Sequence, residues 1–133
     1  MKTILLAEDH KNTREFCRQE LEDAGYRVIT ACDGAAAIEL AQQELPDVVI
    51  LDIRMPRKNG FEAAEQIKTS EPKLPIIFLT SHDEDCMKDD RSLLAKACVE
   101  KREDLTELKH EITRVLESRE ANVPSCTGLT SLR

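Results

Sequence analysis

The feature that most constrains the fold of this chain is a repeated alternation of short apolar runs with amphipathic helical stretches. The apolar runs have the length of strands, and they recur five times along the chain. Strands that alternate with helices are typical of βα units, which build a parallel sheet covered by helices. We therefore expect an α/β fold with one parallel sheet. Its predicted strands lie at about residues 3–7, 26–31, 48–51, 76–79 and 97–100.

The helical segments differ in how clearly the sequence marks them. The last is the clearest, because apolar side chains recur at helical spacing over residues 105–116. The first is predicted to open at Asn12, with Glu15 completing a capping-box pattern, and to stop at Gly25. Residues 82–97 are rich in acidic side chains and poor in apolar ones, so we expect only a short, marginal fourth helix there.

Length, charge and cysteine usage exclude several classes of protein. A chain of 133 residues suits a single domain, and a net charge of −7 disfavours direct binding to nucleic acid. No apolar stretch approaches the roughly 20 residues of a membrane span, and the N-terminus lacks the apolar core of a signal peptide. The five scattered cysteines are interpreted as small packing residues of a reducing compartment, not as a disulfide or zinc framework. We expect a cytoplasmic protein with no membrane or nucleic-acid partner.

The composition of the chain changes near residue 118. Residues 119–133 carry Pro, Gly, Ser and Thr and resemble a tail. We expect one domain at residues 1–118, followed by a flexible C-terminal tail or truncated linker that is too short to fold as an output domain.

Polar side chains follow the predicted strands at the point where each strand ends. Glu8 and Asp9 follow the first strand, and Asp52 follows the third, which is the most apolar run in the chain. Thr80 follows the fourth strand and Lys101 follows the fifth. In open parallel sheets the carboxyl ends of the strands meet at one edge, where ligands bind. The sequence therefore predicts a cluster of five polar groups at this edge.

Such a cluster has a specific chemical use. Neighbouring carboxylates raise one another's pKa unless a cation neutralises them, and Mg²⁺ characteristically binds a few carboxylates while keeping several waters. A metal, a carboxylate, a hydroxyl and an ammonium suit phosphoryl transfer onto the carboxylate. In this interpretation Asp52 attacks, and Thr80 and Lys101 hold the remaining phosphoryl oxygens.

These residues resemble the signature of the response-regulator receiver domain of two-component signal transduction. The resemblance covers about residues 1–118 and includes the loop Asp52-x-x-Met55-Pro56-x-x-x-Gly60. It implies a flavodoxin-like, doubly wound sheet of five parallel strands in the order 2-1-3-4-5, flanked by five helices. It also implies a signalling switch that works through protein contacts and catalyses only its own phosphorylation and slow dephosphorylation.

The resemblance implies a role for each site residue. Asp52 is the implied phosphoacceptor, and its phosphoryl group comes from a sensor histidine kinase or a histidine phosphotransfer protein. Thr80 is implied to move onto a phosphoryl oxygen, and Lys101 to pair with it. Further implied partners are a downstream protein and, as an open alternative, a second copy of the chain. The implied Mg²⁺ ligands are Glu8, Asp9, Asp52 and the backbone carbonyl of Arg54.

Three positions depart from the family pattern. Cys98 stands where an aromatic residue is usual, three positions before the lysine, and Arg102 stands where a proline is usual. The glycine expected at the end of the fourth helix is missing near Leu94. These changes affect the output of the domain and leave its phosphorylation site intact. They keep open an alternative function, in which a degenerate receiver serves as a constitutive protein-interaction module.

Several site residues also have simpler interpretations. Thr80 is also explained as a strand-end residue of good β-propensity, and Lys101 as a solvated residue at the start of a helix. We interpret His10 as a solvated loop histidine, because hard oxygen donors already fill the metal ligand set. His82 is interpreted as a surface histidine, with control of water access to the phosphoryl group as its alternative role.

Overall fold

The structure, a computed structural model, places five parallel strands in one sheet with the order β2-β1-β3-β4-β5. It describes residues 1–55, 57–81, 90–101 and 104–122, with side chains described to residue 118. The strands are β1 (Thr3–Ala7), β2 (Arg27–Ala31), β3 (Val48–Asp52), β4 (Ile76–Thr80) and β5 (Ala97–Glu100). The predicted fold class and strand order are confirmed.

Helices cover both faces of this sheet. The α-helices are α1 (Lys11–Asp23), α2 (Gly34–Glu44), α3 (Gly60–Ser70) and α4 (Thr106–Asn122). The sequence predicted a short fourth helix, of five, within residues 82–97. The part of this segment that the structure describes, residues 90–97, contains only a 3₁₀ helix at Asp90–Leu94. His82 and Arg102 lie outside the described residues.

The start of α1 differs from the sequence prediction. The helix begins at Lys11 with His10 as its N-cap, so Asn12 lies inside the helix and the predicted capping box is wrong. The backbone N–H of His10 donates to Glu8 Oε2 at 2.9 Å, and this contact turns the chain into the helix directly after the acidic pair. The predicted stop at Gly25 is confirmed, because this residue has a φ of 100° just beyond the C-cap.

The helices α2 and α3, which pack on the face of the sheet opposite to α1, have side-chain caps. Asp33 caps α2 by accepting a hydrogen bond from the backbone N–H of Ala36 at 2.8 Å. Asn59 and Glu62 form a reciprocal capping box at the start of α3. These caps fix the points at which the loops after β2 and β3 enter their helices.

The core forms two layers separated by the sheet. Successive residues of β1 point to opposite faces, so that Leu5 packs with α2 and α3 while Leu6 packs with α1 and α4. All five residues of β3 are buried. The continuous apolar runs of the sequence thus reflect strands that are covered on both sides.

Two further predictions concern the cysteines and the C-terminal segment. Cys17 is free and buried and Cys32 is free and exposed, but Cys98 is disulfide-bonded, which contradicts the interpretation of the cysteines as unpaired packing residues. The partner of Cys98 lies outside the described residues. The backbone of α4 remains helical through Asn122, and residues 123–133 of the predicted tail are not described.

In the described part of the chain, no helix combines the length and the apolar composition that crossing a membrane requires.

Candidate functional site

The central pair of the site consists of two carboxylates on neighbouring strands. The register of β1 and β3 pairs Ala7 with Leu51, so the next residues, Glu8 and Asp52, lie side by side at the carboxyl ends of these strands. Glu8 is fully buried and Asp52 is 2% exposed. The fold therefore brings together two carboxylates that the sequence placed at separate strand ends.

Lys101 lies between these two carboxylates. Its Nζ is 2.8 Å from Asp52 Oδ2 and 2.8 Å from Glu8 Oε1. The contact with Asp52 is a hydrogen bond, whereas the contact with Glu8 Oε1 is an ion pair outside hydrogen-bond geometry. Because one ammonium faces two buried carboxylates, the three groups carry a negative charge when all are ionised.

Thr80 lies at the end of β4, the strand next to β3. It is 1% exposed, and its backbone carbonyl accepts a hydrogen bond from the backbone N–H of Lys101 at 2.7 Å. The register of the two strands pairs Asp52 with Leu79, one residue before Thr80. Thr80 and Lys101 therefore both belong to the edge of the sheet that carries Asp52.

The second oxygen of Asp52 is held by the loop that follows β3. The backbone N–H of Arg54 donates to Asp52 Oδ1 at 3.1 Å. One oxygen of Asp52 thus contacts a backbone amide, and the other contacts the ammonium of Lys101. The side chain of Arg54 is exposed, and a metal-binding role for its carbonyl stays a prediction.

Asp9 and His10 extend the acidic cluster towards solvent. Asp9 Oδ1 is a buried oxygen that accepts no hydrogen bond within the described residues. The ring Nδ1 of His10 lies 3.3 Å from this oxygen and 3.2 Å from Glu8 Oε2. Sequence reasoning assigned His10 to solvent, and its side chain is indeed 72% exposed, but it missed these contacts. The available signal was the position of His10 at a helix start directly after the acidic pair.

The electrostatics of the site set Asp52 apart from Glu8. Burial, reinforced by the charge of Glu8, raises the pKa of Asp52 to about 6 against the opposing effect of Lys101. Burial also acts against ionisation of Glu8, but Lys101 and the His10 amide outweigh it and lower the pKa of Glu8. The pKa of Lys101 is raised, because Asp52 and Glu8 outweigh its burial. Asp52 is therefore the carboxylate whose charge is least compensated.

The donor atoms fit a hard divalent cation. Carboxylate oxygens of Glu8, Asp9 and Asp52, together with a ring nitrogen of His10, all lie within 4.8 Å of one another. Mg²⁺ prefers oxygen ligands, and Asp9 supplies an oxygen that accepts no hydrogen bond within the described residues. A cation there would offset the excess negative charge that Lys101 leaves uncompensated.

Cys98 contributes to the β4–β5 pair behind the site. It is half-buried, pairs in register with Phe78, and packs against the core layer of α2 and α3. The position that is usually aromatic therefore holds a disulfide-bonded residue, which cannot change rotamer as a free side chain can.

Comparisons with known proteins agree on one family. Residues 4–113 match the response regulator receiver domain. The alkaline phosphatase synthesis transcriptional regulatory protein PhoP of Bacillus subtilis is 37% identical over 84 residues, which cover 63% of this chain. The matched segment spans only 35% of the length of PhoP, which is about a third of that relative.

Solved structures show the same similarity in three dimensions. The response regulator TrrA of Thermotoga maritima, in complex with Mg²⁺-BeF, is 35% identical with a TM-score of 0.83, covering 86% of this chain and 99% of TrrA. A chain from the complex of the histidine kinase ThkA with TrrA is 36% identical with a TM-score of 0.80, covering 87% of this chain and 99% of the other.

Proposed function

Because the chain belongs to the response regulator receiver domain family, we propose that it is a two-component signalling switch in which Asp52 accepts a phosphoryl group. The observation that carries this proposal is the position of Lys101, whose ammonium contacts both Asp52 and Glu8 at 2.8 Å. Beside it lies an oxygen of Asp9 that accepts no hydrogen bond within the described residues. A buried carboxylate with an ammonium and spare acidic oxygens beside it suits phosphoryl transfer better than it suits a structural core.

Four residues are proposed to hold Mg²⁺: Glu8, Asp9, Asp52 and Arg54 through its backbone carbonyl. When bound, the ion neutralises charge on the phosphoryl oxygens. This assignment is supported by the closeness of the carboxylate oxygens of Glu8, Asp9 and Asp52, which lie within 4.8 Å of one another. It is also supported by Asp9 Oδ1, which accepts no hydrogen bond within the described residues. TrrA, which was solved with Mg²⁺-BeF, supports the same cofactor by similarity.

Asp52 is the proposed nucleophile. With its pKa raised to about 6, its side chain is ionised at neutral pH yet keeps a higher proton affinity than an ordinary aspartate. A carboxylate oxygen attacks the phosphorus of a phosphohistidine, the phosphorus–nitrogen bond breaks, and the imidazole leaves. The Arg54 amide, which donates to Oδ1, orients the carboxylate during this attack.

Lys101 and Thr80 are proposed to hold the transferred group. The ammonium of Lys101 already contacts the oxygen of Asp52, so it can pair with a phosphoryl oxygen after a small shift. Thr80 ends the adjacent strand and offers a hydroxyl to a second oxygen. Binding of these oxygens would favour one of two surface arrangements and change partner affinity.

The proposed phosphodonor is a sensor histidine kinase or a histidine phosphotransfer protein. The similarity to TrrA, which was solved in complex with the kinase ThkA, supports a kinase as partner. We further propose a downstream protein partner, no direct contact with nucleic acid, and a cytoplasmic site of action, with homodimerisation as an open form of output. The proposed switch occupies residues 1–118, and residues 119–133 are its tail or linker.

The experiment that tests this function is intact-protein mass spectrometry after incubation with acetyl phosphate and Mg²⁺. We expect a single phosphoryl adduct that disappears in EDTA and in Asp52→Asn. Asp47→Asn is the matched control, because Asp47 lies just before the opposite end of β3 and accepts a hydrogen bond from the backbone of Thr3. This control should still form the adduct.

The alternative function predicts a different result. A constitutive interaction module would form no adduct and would bind no Mg²⁺ in calorimetry. That combination of results would contradict the phosphorylation switch and support the degenerate receiver.

A further inference from the structure

The loop between β3 and α3 carries part of the proposed metal site, and one of its ends is fixed by the sheet. The backbone N–H of Ile53 donates to Leu79 O at 3.1 Å, and the N–H of Gly60 donates to Ile53 O at 2.8 Å. These bonds hold the residue next to Asp52. They do not account for the path of the loop farther out, at Arg57 and Lys58.

Arg57 attaches this outer part of the loop to the start of α2. Its Nε donates to Asp33 Oδ2 at 2.9 Å, and its Nη2 donates to the same oxygen. The other oxygen of Asp33 accepts from the Ala36 amide at the helix N-terminus. Asp33 therefore has two separate tasks, one in capping α2 and one in binding the loop.

A second contact lies beside the first. A Cβ at Gly34 would lie 2.1 Å from the backbone oxygen of Lys58, so the main chains of α2 and the loop are in direct contact there. The N-cap of α2, Asp33, and its first residue, Gly34, thus hold two consecutive residues of the loop, Arg57 and Lys58. We call these four residues the loop clamp.

The backbone of Arg57 shows that the clamp holds the loop against a local preference. Arg57 has a φ of 66°, a left-handed conformation that is uncommon for residues other than glycine. Such a conformation persists where the surroundings hold it in place.

The burial of Asp33 makes the ion pair more than a surface contact. The side chain of Asp33 is 6% exposed, whereas that of Arg57 is 72% exposed. An exposed pair contributes little, whereas Asp33 without Arg57 would be a buried carboxylate compensated only by the amide groups at the start of α2. The guanidinium of Arg57 therefore has one defined partner, the carboxylate of Asp33, and this contact holds the loop at Arg57.

We propose that Asp33 and Arg57 are positioning residues that hold the β3–α3 loop so that Asp52 and the carbonyl of Arg54 are preorganised for Mg²⁺. This inference rests on the proposed function of the site. Neither residue touches the proposed ion. They act through the loop, in the way that outer-shell partners orient the ligands of a metal.

Two substitutions remove the ion pair of the loop clamp while retaining the backbone conformation of the loop and the cap of α2. Arg57→Asn removes the guanidinium but keeps a residue that tolerates the left-handed region. Asp33→Asn removes the charge but keeps an N-cap of similar strength for α2. Arg114→Gln is the control, because Arg114 is an exposed arginine that forms an ion pair with Glu111 on α4.

The first measurement is Mg²⁺ affinity of the full chain by isothermal titration calorimetry. We expect each clamp variant to weaken binding by about tenfold, in the range seen for outer-shell partners. The double variant should be no weaker than either single variant, because both remove the same contact. The control should bind like the wild type. Unchanged affinity in both clamp variants, with only their unfolding midpoints lowered, would reduce the clamp to a structural role and overturn the inference.

The second measurement is amide hydrogen exchange of Arg54, made without Mg²⁺. Its N–H bonds to Asp52 Oδ1, so release of the loop should speed its exchange several-fold in both clamp variants and not in Arg114→Gln. Unchanged exchange overturns the inference whether or not the metal binds. If the wild type binds no Mg²⁺, the proposed function fails by itself, and the exchange rates still decide whether the loop is held.

Discussion

At the scale of single residues, burial raises the pKa of the site carboxylates and the charge of Lys101 lowers it. Asp52 and Glu8 are nearly inaccessible to solvent, and Lys101 is the cation that contacts both. Lys101 does not offset the burial of Asp52 and the charge of Glu8 beside it, so the pKa of Asp52 is raised, whereas Lys101 and the His10 amide together lower that of Glu8. The stability of the protein should therefore depend on the ionisation of Asp52.

Asp52→Asn is expected to stabilise the Mg²⁺-free protein at pH values above about 6. A carboxyl pKa raised from 3.8 to about 6 means that the folded state binds the proton more tightly than the unfolded state. The resulting stability is present below pH 3.8 and is lost as the pH rises through 6. Asparagine avoids that loss, and we expect a gain of about 1–3 kcal/mol at pH 8.

Urea unfolding in EDTA at pH 8 and pH 4.5 measures this effect. The advantage of Asp52→Asn should be larger at pH 8 than at pH 4.5, and Asp47→Asn should show no such gain. An advantage of equal size at both pH values would show that the ionisation of Asp52 is not its cause.

Lys101→Met is expected to have the opposite effect. The variant keeps much of the aliphatic bulk but leaves two buried carboxylates without the ammonium, which should cost about 2–3 kcal/mol at pH 8 in EDTA. The loss should shrink at pH 5, where protonation of Asp52 removes one of the charges. Lys109→Met, which breaks an ion pair with Glu20 between α4 and α1, is the control. A loss that does not change with pH would indicate packing as the cause.

At the scale of the elements, the start of α3 is in direct contact with the proposed phosphoacceptor strand. A Cβ at Gly60 would lie 2.5 Å from Asp52 O and 2.8 Å from Ile53 Cα. Because both atoms belong to the backbone, the loop itself must move to accept a side chain. We expect Gly60→Ala to lower the free energy of unfolding by about 2–3 kcal/mol and to weaken Mg²⁺ binding.

Gly25→Ala is the matched control for that prediction. A Cβ at Gly25 has open space around it, but the φ of 100° is unfavourable for alanine, so stability should fall while Mg²⁺ affinity stays unchanged. Equal losses of Mg²⁺ affinity in the two variants would show that the contact of Gly60 with Asp52 has no special role.

The strands and the meeting of their ends could be predicted because they follow from local patterns. Apolar runs indicated strands covered on both faces, and parallel order placed Asp52 near Glu8. The start of α1 could not be predicted in this way, because the contact of Glu8 with the His10 amide overrides the Asn12 capping pattern. The bond from Arg57 to Asp33 spans 24 positions in the chain and depends on the path of the loop. No sequence pattern encodes that path.

At the scale of the whole molecule, the site lies where the two core layers meet the end of the sheet. Core residues on both faces of β1 and β3 are fully buried, so the strand ends are rigid supports for Glu8 and Asp52. A ligand that binds only this arrangement cannot bind the unfolded chain equally well. Ligand binding should therefore be visible as global stability.

Mg²⁺ is expected to stabilise the whole protein by mass action. At a concentration one hundred times the dissociation constant, the gain should approach about 2.7 kcal/mol. Asp9→Asn should lose most of this gain while changing the Mg²⁺-free stability little, since Asp9 Oδ1 accepts no hydrogen bond within the described residues. Thermal and urea unfolding across a Mg²⁺ titration measure both effects.

Ionic strength is the necessary control for this prediction. The net charge of −7 means that any salt weakens the self-repulsion of the chain and raises stability somewhat. NaCl at matched ionic strength should therefore give a smaller gain that does not saturate and is equal in wild type and Asp9→Asn. A Mg²⁺ response that NaCl reproduces in both proteins would reflect screening alone, and the acidic cluster would then have no metal-binding role.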